Sequence, residues 1–366
     1  ERAAVRGVVA FALAASVIAA PWFVRNFLWT GNPVYPFYAR LFPRTRNWNE
    51  AATVAIERDQ RGFGRGTDAV AAARLLWDTA FHGREYFLAH RPLRALPHDI
   101  LMGMGVVFVG LLPLLALVRG WEARALGLLA FLVASTAAWF LTSQQSRYLL
   151  PVMGAAAALV GWLVPRLPWR PLRVAALALV AIQGVGTLWG SVILTEMAWP
   201  VVLGRQSEEE ALSQGLRDLY DAGRYTGLLP PGSRIALYQE ARGYYLERDY
   251  LRANPLHHDL IPYDRLTNGA ELADFLRDRL RITHVLLNQG GVSADVLTQE
   301  WFRLLTDAYA RGRLRPLWYS ARARPEEDLL RLTAVFGPER LGALLREKER
   351  QTGSSTGRGI VIYTLQ

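Results

Sequence analysis

The sequence predicts an α-helical polytopic membrane domain of about five transmembrane helices, followed by a small soluble α/β domain. Three observations lead there. Apolar runs of near bilayer-crossing length fill the first half, arginines alternate between the loops that join them, and beyond residue 195 short apolar strands alternate with amphipathic helices. Hydrophobic residues make up 51% of the 366 positions and charged ones 20%, which suits a membrane protein carrying a soluble part. The boundary falls at 199/200, giving a 1–199 membrane part with a long loop at 25–100, and a 200–366 extramembrane part.

Five segments carry the first half: about 7–24, 102–118, 125–142, 148–164 and 173–195, each without charge in its interior. The first reads as a span rather than a signal peptide, because Ile18 spoils a small-x-small cleavage pattern and Pro21 follows it. Arg2 and Arg6, Arg119 and Arg124, and Arg166, Arg170 and Arg173 fall in alternate short loops, which places those loops in the cytoplasm. The 25–100 loop, the turn Ser143-Gln144-Gln145-Ser146-Arg147 and everything after residue 195 then share the non-cytoplasmic side. The chain begins at Glu1 with a hydrophobic run close behind, so it is expected to continue a longer protein.

Within the long loop, residues 68–91 put Leu75, Leu76, Thr79, Ala80, Gly83, Tyr86, Phe87 and His90 on one helical stripe, with Arg74, Asp78, His82 and Glu85 off it. That pattern predicts an amphipathic helix lying on the membrane surface. Residues 50–67, with Gly62-Phe-Gly-Arg-Gly66, predict a mobile loop and no nucleotide fingerprint, since no strand precedes the glycines. In the second half, strands are expected at Ser233–Gln239, Thr283–Asn288, Leu314–Tyr319 and Gly359–Leu365, and helices at Arg242–Glu247, Gly269–Leu280 and Asp295–Gly312. Residues 321–358 are expected to be an insertion, a charged helical part followed by a Gly/Ser-rich connector.

Several chemistries are excluded. There is no cysteine, hence no disulfide or thiolate metal site. The net charge of +10 comes from arginine, Lys348 being the only lysine, and no like-charge run marks a nucleic-acid face. No nucleophile elbow, Walker loop or zinc signature occurs. Asp78, His82 and Glu85 share a helix face that could bind a cation, but a solvated polar face is the plainer reading. No spacing elects a general base among the outward acids Glu50, Glu57, Asp59, Asp68, Asp78, Glu85 and Asp99. In the second half, Glu240, Arg242, Tyr244 and Tyr245 follow a strand, where open α/β sheets place sites.

Two motifs remain. Residues 21–36 pack Trp22 and Trp29, Arg25 and Asn26, and Gly31-Asn32-Pro33 with Tyr35 and Pro36 into the exit of the first span, which reads either as an aromatic belt with a helix stop or as a built site. Arg147, followed by Tyr148, stands at the mouth of the fourth span, where a guanidinium either reaches a phosphate at headgroup level or snorkels to water. Together, Pro21-Trp-x-x-Arg25-Asn26 … Thr30-Gly-Asn-Pro-Val-Tyr-Pro36 and Arg147-Tyr-Leu-Leu-Pro151 resemble the second half of GT-C superfamily polytopic glycosyltransferases of the protein-mannosyltransferase, aminoarabinose-transferase and rhizobial lipopolysaccharide-transferase type. The later Glu-Ala-Arg-Gly-Tyr-Tyr and Ile282-Thr-His-Val-Leu-Leu-Asn288 are similar to the soluble domain appended to many of them. The resemblance covers most of the chain, and the 321–358 insertion departs from it.

The resemblance implies transfer of a sugar from a polyprenyl-phosphate-linked donor to a lipid, glycan or protein acceptor on the non-cytoplasmic face of a bacterial plasma membrane. Under it, Arg147 and Arg25 bind the donor phosphate, and Trp22, Asn26, Asn32, Tyr35 and Tyr148 shape the cavity. The family's catalytic carboxylate is expected upstream of Glu1, so none is assigned here. No cofactor is assigned and a divalent cation stays open; the partners implied are the bilayer, the donor and the acceptor, with no nucleic acid. The competing expectation is a non-enzymatic membrane scaffold or transporter subunit with a partner-binding soluble domain.

Overall fold

A computed structural model describes all residues except 1, 47, 49, 88–103, 196–197, 256–257 and 353–358. It is mostly helical, with a small sheet near its C-terminus, and divides into two compact units. One comprises Glu1–Ile56 with Glu208–Gln366, the other Glu57–Ser207. The 199/200 boundary read from the sequence is thus close to one edge of this division, while residues 1–56 group with the C-terminal part.

The chain opens with α1 (Arg2–Thr30), 29 residues that contain the first apolar segment. Pro21 lies within α1 and the helix runs on past it, so the special stretch begins as helix and turns only at Gly31. A loop then leads to α2 (Glu50–Arg61), whose Ala52 and Ile56 bury against Trp48, with Tyr35 and Ala39 packed alongside.

In the second unit, α3 (Ala69–Phe81) and α4 (Gly83–Phe87) take the place of one 68–91 helix. Asp68 caps α3 by accepting from Val70 N and Ala71 N, and the break falls at His82. Residues 88–91, with His90, lie outside the described residues. Asp78, expected on the solvated side, is 3% exposed. The stripe reading misses this because a charged partner comes from outside the helix.

α5 (Val106–Leu111) continues as a 3-10 helix over Leu112–Leu117, where Pro113 removes a donor. Among the described residues of the second expected segment the helix covers Val106–Leu117, too short to cross a bilayer alone. Its start is held from the middle of another apolar helix. Gln183, on α8 (Arg170–Leu194), accepts from Val106 N at 2.9 Å, and Gly105, at φ 91, leaves room for that amide. An amide in an otherwise apolar helix thus satisfies a backbone donor at the helix start, which has no partner within its own helix. Between α5 and α8, α6 (Ala123–Thr142) and α7 (Leu150–Leu163) form an antiparallel hairpin, joined by a 3-10 turn over Ser146–Leu149. Leu132, Trp139, Phe140, Val152, Ala156 and Leu159 fill the contact.

Three helical stretches among the described residues, Ala123–Thr142, Ser146–Arg166 and Arg170–Val192, are long and apolar enough to cross a membrane. Five were expected; part of the first lies among α1 side chains outside the described set, and the second is the short α5. Only 6% of the Arg170–Val192 window is buried, with Val174, Leu177, Ile182, Val185, Leu188 and Trp189 exposed.

After the short α9 (Trp199–Val202), α10 (Glu208–Leu216) and α11 (Asp218–Gly227) lead into a five-stranded sheet. Its strands are β1 (Arg234–Tyr238), β2 (Asp249–Arg252), β3 (His284–Asn288), β4 (Leu314–Tyr319) and β5 (Ile360–Leu365), in the order β2-β1-β3-β5-β4. β2, β1 and β3 run parallel; β5 is antiparallel to both its neighbours, with a bulge at Pro316/Trp318 in β4. The inner strands β1, β3 and β5 read as nearly unbroken apolar runs because both their faces are covered. Ala236, Tyr238, Val285, Leu287, Val361 and Tyr363 face one core, and Ile235, Leu237, Leu286, Ile360 and Ile362 face the other, with Leu219 and Ala222 of α11. The first core is closed by α12 (Gly269–Asp274, extended by a π turn), α13 (Glu300–Ala310), α14 (Leu329–Phe336) and α15 (Pro338–Thr352).

The four strands expected from sequence are present, and β2 was not foreseen. Its Asp-Tyr-Leu-Arg pattern is that of a half-exposed edge. The Arg242–Glu247 helix reduces to a 3-10 turn at Gly243–Tyr245. The helical part of the 321–358 insertion is integral to the core: Leu329, Leu330, Leu341 and Leu345 are buried there, and Asp328 is fully enclosed. The connector residues 353–358 lie outside the described set.

Candidate functional site

The 21–36 corner is built on the end of α1. Gly31, at φ 77, closes the helix with a bond from its N–H to Phe27 O, and Arg46 N returns to Thr30 O at 2.7 Å. Asn32, fully buried, then spends its whole amide on the turn: its Oδ1 accepts from Val34 N and its Nδ2 donates to Phe37 O, each at 2.9 Å. Thr30 Oγ1 donates to Asn26 O and accepts from Asn32 N, while Asn26 Nδ2 reaches Pro33 O at 3.4 Å. Tyr35 packs edge-on against Trp48 at 5.4 Å, and burial, with Asp259 nearby, raises its phenol pKa. The exposed chemistry is on α1 itself. The Arg25 guanidinium lies 4.1 Å from the Trp29 ring centre and 5.8 Å from that of Trp22, one helical turn away on either side.

At the α6–α7 turn, Arg147 is exposed, its guanidinium 5.2 Å from the Tyr148 ring, and Tyr148 is 44% exposed. No carboxylate among the described residues lies within ion-pair distance of Arg147. The turn beneath it is buried and polar. Gln144 and Gln145 are 4% and 3% exposed. Gln144 Oε1 accepts from Arg65 N at 3.3 Å, and its Nε2 donates to Gly66 O at 2.7 Å. Gln145 Nε2 donates to Gln60 Oε1, and Trp139 Nε1 donates to Gln145 O. Of residues 50–67, expected to be a mobile loop, the stretch to Arg61 is helix α2 and the Gly62–Gly66 segment is docked.

A second arginine in this region is fully committed. Arg65 Nη1 donates to Asp78 Oδ1 at 3.1 Å and its Nε lies 3.0 Å from Glu85 Oε2. The bond to Asp78 raises the Arg65 pKa, and burial followed by the Asp78 charge pushes the Tyr86 phenol up to about 12. His82 Nδ1 stands 3.2 Å from Asp78 Oδ1 without hydrogen-bond geometry. Asp78 and Glu85 thus converge on the Arg65 guanidinium, with His82 beside Asp78, instead of forming the solvated polar face expected. Among the described residues no group of three His, Asp or Glu side chains is placed to hold a metal ion.

In the sheet, Glu240 follows β1 and is 6% exposed. Its Oε1 accepts from Ala241 N, Arg242 N and Arg242 Nε, and its Oε2 from Arg242 Nη2 and Asn288 Nδ2, all within 3.0 Å. Burial alone would raise its pKa; the Arg242 and Asn288 bonds outweigh burial and hold it below the ordinary glutamate value. The carboxylate joins the carboxyl ends of β1 and β3, while Tyr244 stands 85% exposed beside them.

Trp22, Arg25, Asn26, Asn32 and Tyr35 thus fall in one unit and Arg147 and Tyr148 in the other. Sequence reasoning missed Arg65, Gln144 and Gly64. Their signals were a glycine every second residue and two adjacent glutamines in an apolar hairpin. A family model described as a domain of unknown function (DUF8201) matches residues 2–154, and no curated protein or solved structure matches the chain.

Proposed function

We propose that this chain serves a membrane glycosyltransferase of GT-C type, moving a sugar from a polyprenyl-phosphate-linked donor to an acceptor on the non-cytoplasmic face. The observation that supports this best is the contrast between two arginines of one unit: Arg65 is tied to two carboxylates, whereas Arg147 projects from a braced turn with no carboxylate in reach among the described residues. A guanidinium left uncompensated at the end of an apolar hairpin is suited to a lipid-borne phosphate, which it can grip with two parallel hydrogen bonds. In transfer, Arg147 would hold the phosphate and stabilise the charge that develops as the glycosidic bond to it breaks. Arg25, stacked on Trp29 and Trp22, is the second candidate cation, and Tyr148 packs under the first. Asn26 and Asn32 support the reading indirectly, by shaping the corner from inside. No residue here is assigned the base.

Full-length protein in vesicles with a radiolabelled polyprenyl-phosphate sugar tests the reading. Arg147→Ala is expected to cut transfer at least tenfold, the cost of one charge-assisted contact; transfer at the wild-type rate refutes the phosphate role. The orientation has its own test, because the chain has no cysteine. Single cysteines at Ser146 and Gly120, treated with a membrane-impermeant maleimide, should label from outside at the first position only. Arg119, Arg124, Arg166, Arg170 and Arg173, clustered at the opposite end of the α6–α7 hairpin from Arg147, support that polarity.

A further inference from the structure

We infer that residues 60–66 form a strap that positions Arg147, with Gln144 as its clasp and Gly64 as the residue that lets it seat; this rests on the phosphate reading of Arg147. Three partly buried contacts fasten the strap to the turn that precedes Arg147: Arg65 N to Gln144 Oε1, Gln144 Nε2 to Gly66 O, and Gln145 Nε2 to Gln60 Oε1. Gln144 also donates to Phe140 O at the end of α6, so one amide ties the strap, the helix end and the turn together.

Gly64 is required twice. Its φ of +79 is left-handed, and a Cβ there would stand 1.8 Å from Gln144 Oε1. Gly64 N in turn donates to Glu85 O, and Arg65 closes the strap on Asp78 and Glu85, so the far side is anchored as well as the near side is. Trp139, stacked on Tyr86 at 5.7 Å, donates to Gln145 O and fixes the turn from a third direction. The 3-10 turn over Ser146–Leu149 carries Arg147 directly off this bracket. A side chain that must meet a phosphate with a planar fork loses least when its backbone is already held, which is the advantage of such a brace.

Gln144 and Gly64 are accordingly positioning residues, and Arg65 is the strap's own fastening rather than a second phosphate ligand. The ligand class is a lipid-borne phosphate, and the probe is farnesyl phosphate titrated into the purified full-length protein in detergent, with inorganic phosphate alongside. Arg147→Ala should weaken farnesyl phosphate binding on the order of tenfold or more. Gln144→Asn, too short to span strap and turn, should weaken it severalfold, and Gly64→Ala likewise. The Gln144→Asn/Arg147→Ala double variant should bind no worse than Arg147→Ala alone, because a brace has nothing to position once the guanidinium is gone.

Multiplying effects in the double variant, or unchanged affinity in Gln144→Asn with weakened Arg147→Ala, overturn the strap's role. Unchanged affinity in Arg147→Ala overturns the phosphate reading beneath it. A general loss of fold by Gln144→Asn is recognised by faster hydrogen exchange throughout α6 and α7. In that event Gly64→Ala decides, since it keeps the glutamine at 144 and only denies its amide the seat: weakened binding that vanishes as a separate effect in the Arg147→Ala background upholds the strap, and unchanged binding overturns it. Inorganic phosphate binding as tightly as farnesyl phosphate overturns the lipid-borne class.

Discussion

Replacing Glu240 by glutamine tests how the carboxyl ends of β1 and β3 are held together. The carboxylate accepts five hydrogen bonds, three on Oε1 and two on Oε2. An amide must turn its NH₂ toward one set of donors, and the less costly choice is Oε2, where Arg242 Nη2 and Asn288 Nδ2 point. Asn288 cannot simply flip, because its Oδ1 already accepts from Gly290 N at 3.1 Å. Two charge-assisted bonds are thus lost; since the Arg242 side chain is 51% exposed and water can replace one, the net cost is about 2 kcal/mol. Amides of β1 and β3 that exchange through opening of the sheet should therefore exchange about 30-fold faster at pH 7. The pH dependence has a definite sign. A folded-state pKa held below the ordinary value contributes stability that is fully present above the unfolded pKa and is lost as pH falls through the folded one. The advantage of wild type over Glu240→Gln should shrink as pH drops below the ordinary glutamate range. Equal exchange at neutral pH, or a gap that stays constant down to acid, refutes the account.

Three further outcomes follow from the same kind of reasoning. Asp328→Ala leaves the Tyr319 and Tyr363 hydroxyls without their acceptor and uncaps α14, so denaturant unfolding should show a loss of about 3 kcal/mol or more. Arg65→Met strands the buried Asp78 carboxylate and should lower the thermal midpoint in detergent, whereas Arg65→Met/Asp78→Asn should recover much of that loss. Val185→Arg, on the exposed apolar side of α8, should reduce membrane insertion of a reporter fusion by the ~3 kcal/mol charged residues cost at a helix centre; undiminished insertion would argue that α8 does not span.

The fold was legible wherever periodicity carries it. β1, β3 and β5 announce themselves as apolar runs bounded by glycine, proline or charge, because burial on both faces leaves little room for polar residues, while β4, an exposed edge, is marked by its Leu-Trp-Tyr end after a glycine turn. β2 was hidden by its position: an edge strand needs only Leu251 half-buried, so Asp249-Tyr250-Leu251-Arg252 looks like loop. The helices expected over 321–350 are present, but their part in the core was hidden for a related reason. Its charges are real and exposed, but Leu329, Leu330, Leu341 and Leu345 lie at helical spacing among them, and the buried Asp328 is a cap and a tyrosine acceptor rather than surface charge. The second apolar segment matched a span in composition alone. Pro113 and the Gly105–Gln183 contact shorten it, and the latter joins residues far apart in sequence.

At the candidate site, Arg147 and Arg25 stood out because a charge beside an apolar run is conspicuous. Local spacing could not say which arginine is compensated. The Arg65–Asp78 pair crosses thirteen residues and a helix start, and the Arg65–Gln144 bond crosses seventy-nine, so neither has a sequence period. What the sequence did display was glycine at 62, 64 and 66, read as slackness. In the fold, Gly64 permits close docking instead: its missing side chain is the space that Gln144 fills. A glycine-dense loop beside paired glutamines in an apolar hairpin is therefore better read as a strap than as a hinge, and Gly64→Ala, which should restrict the chain and yet loosen the loop, separates the two. A hinge would slow its amide exchange on gaining a Cβ; a strap would speed it.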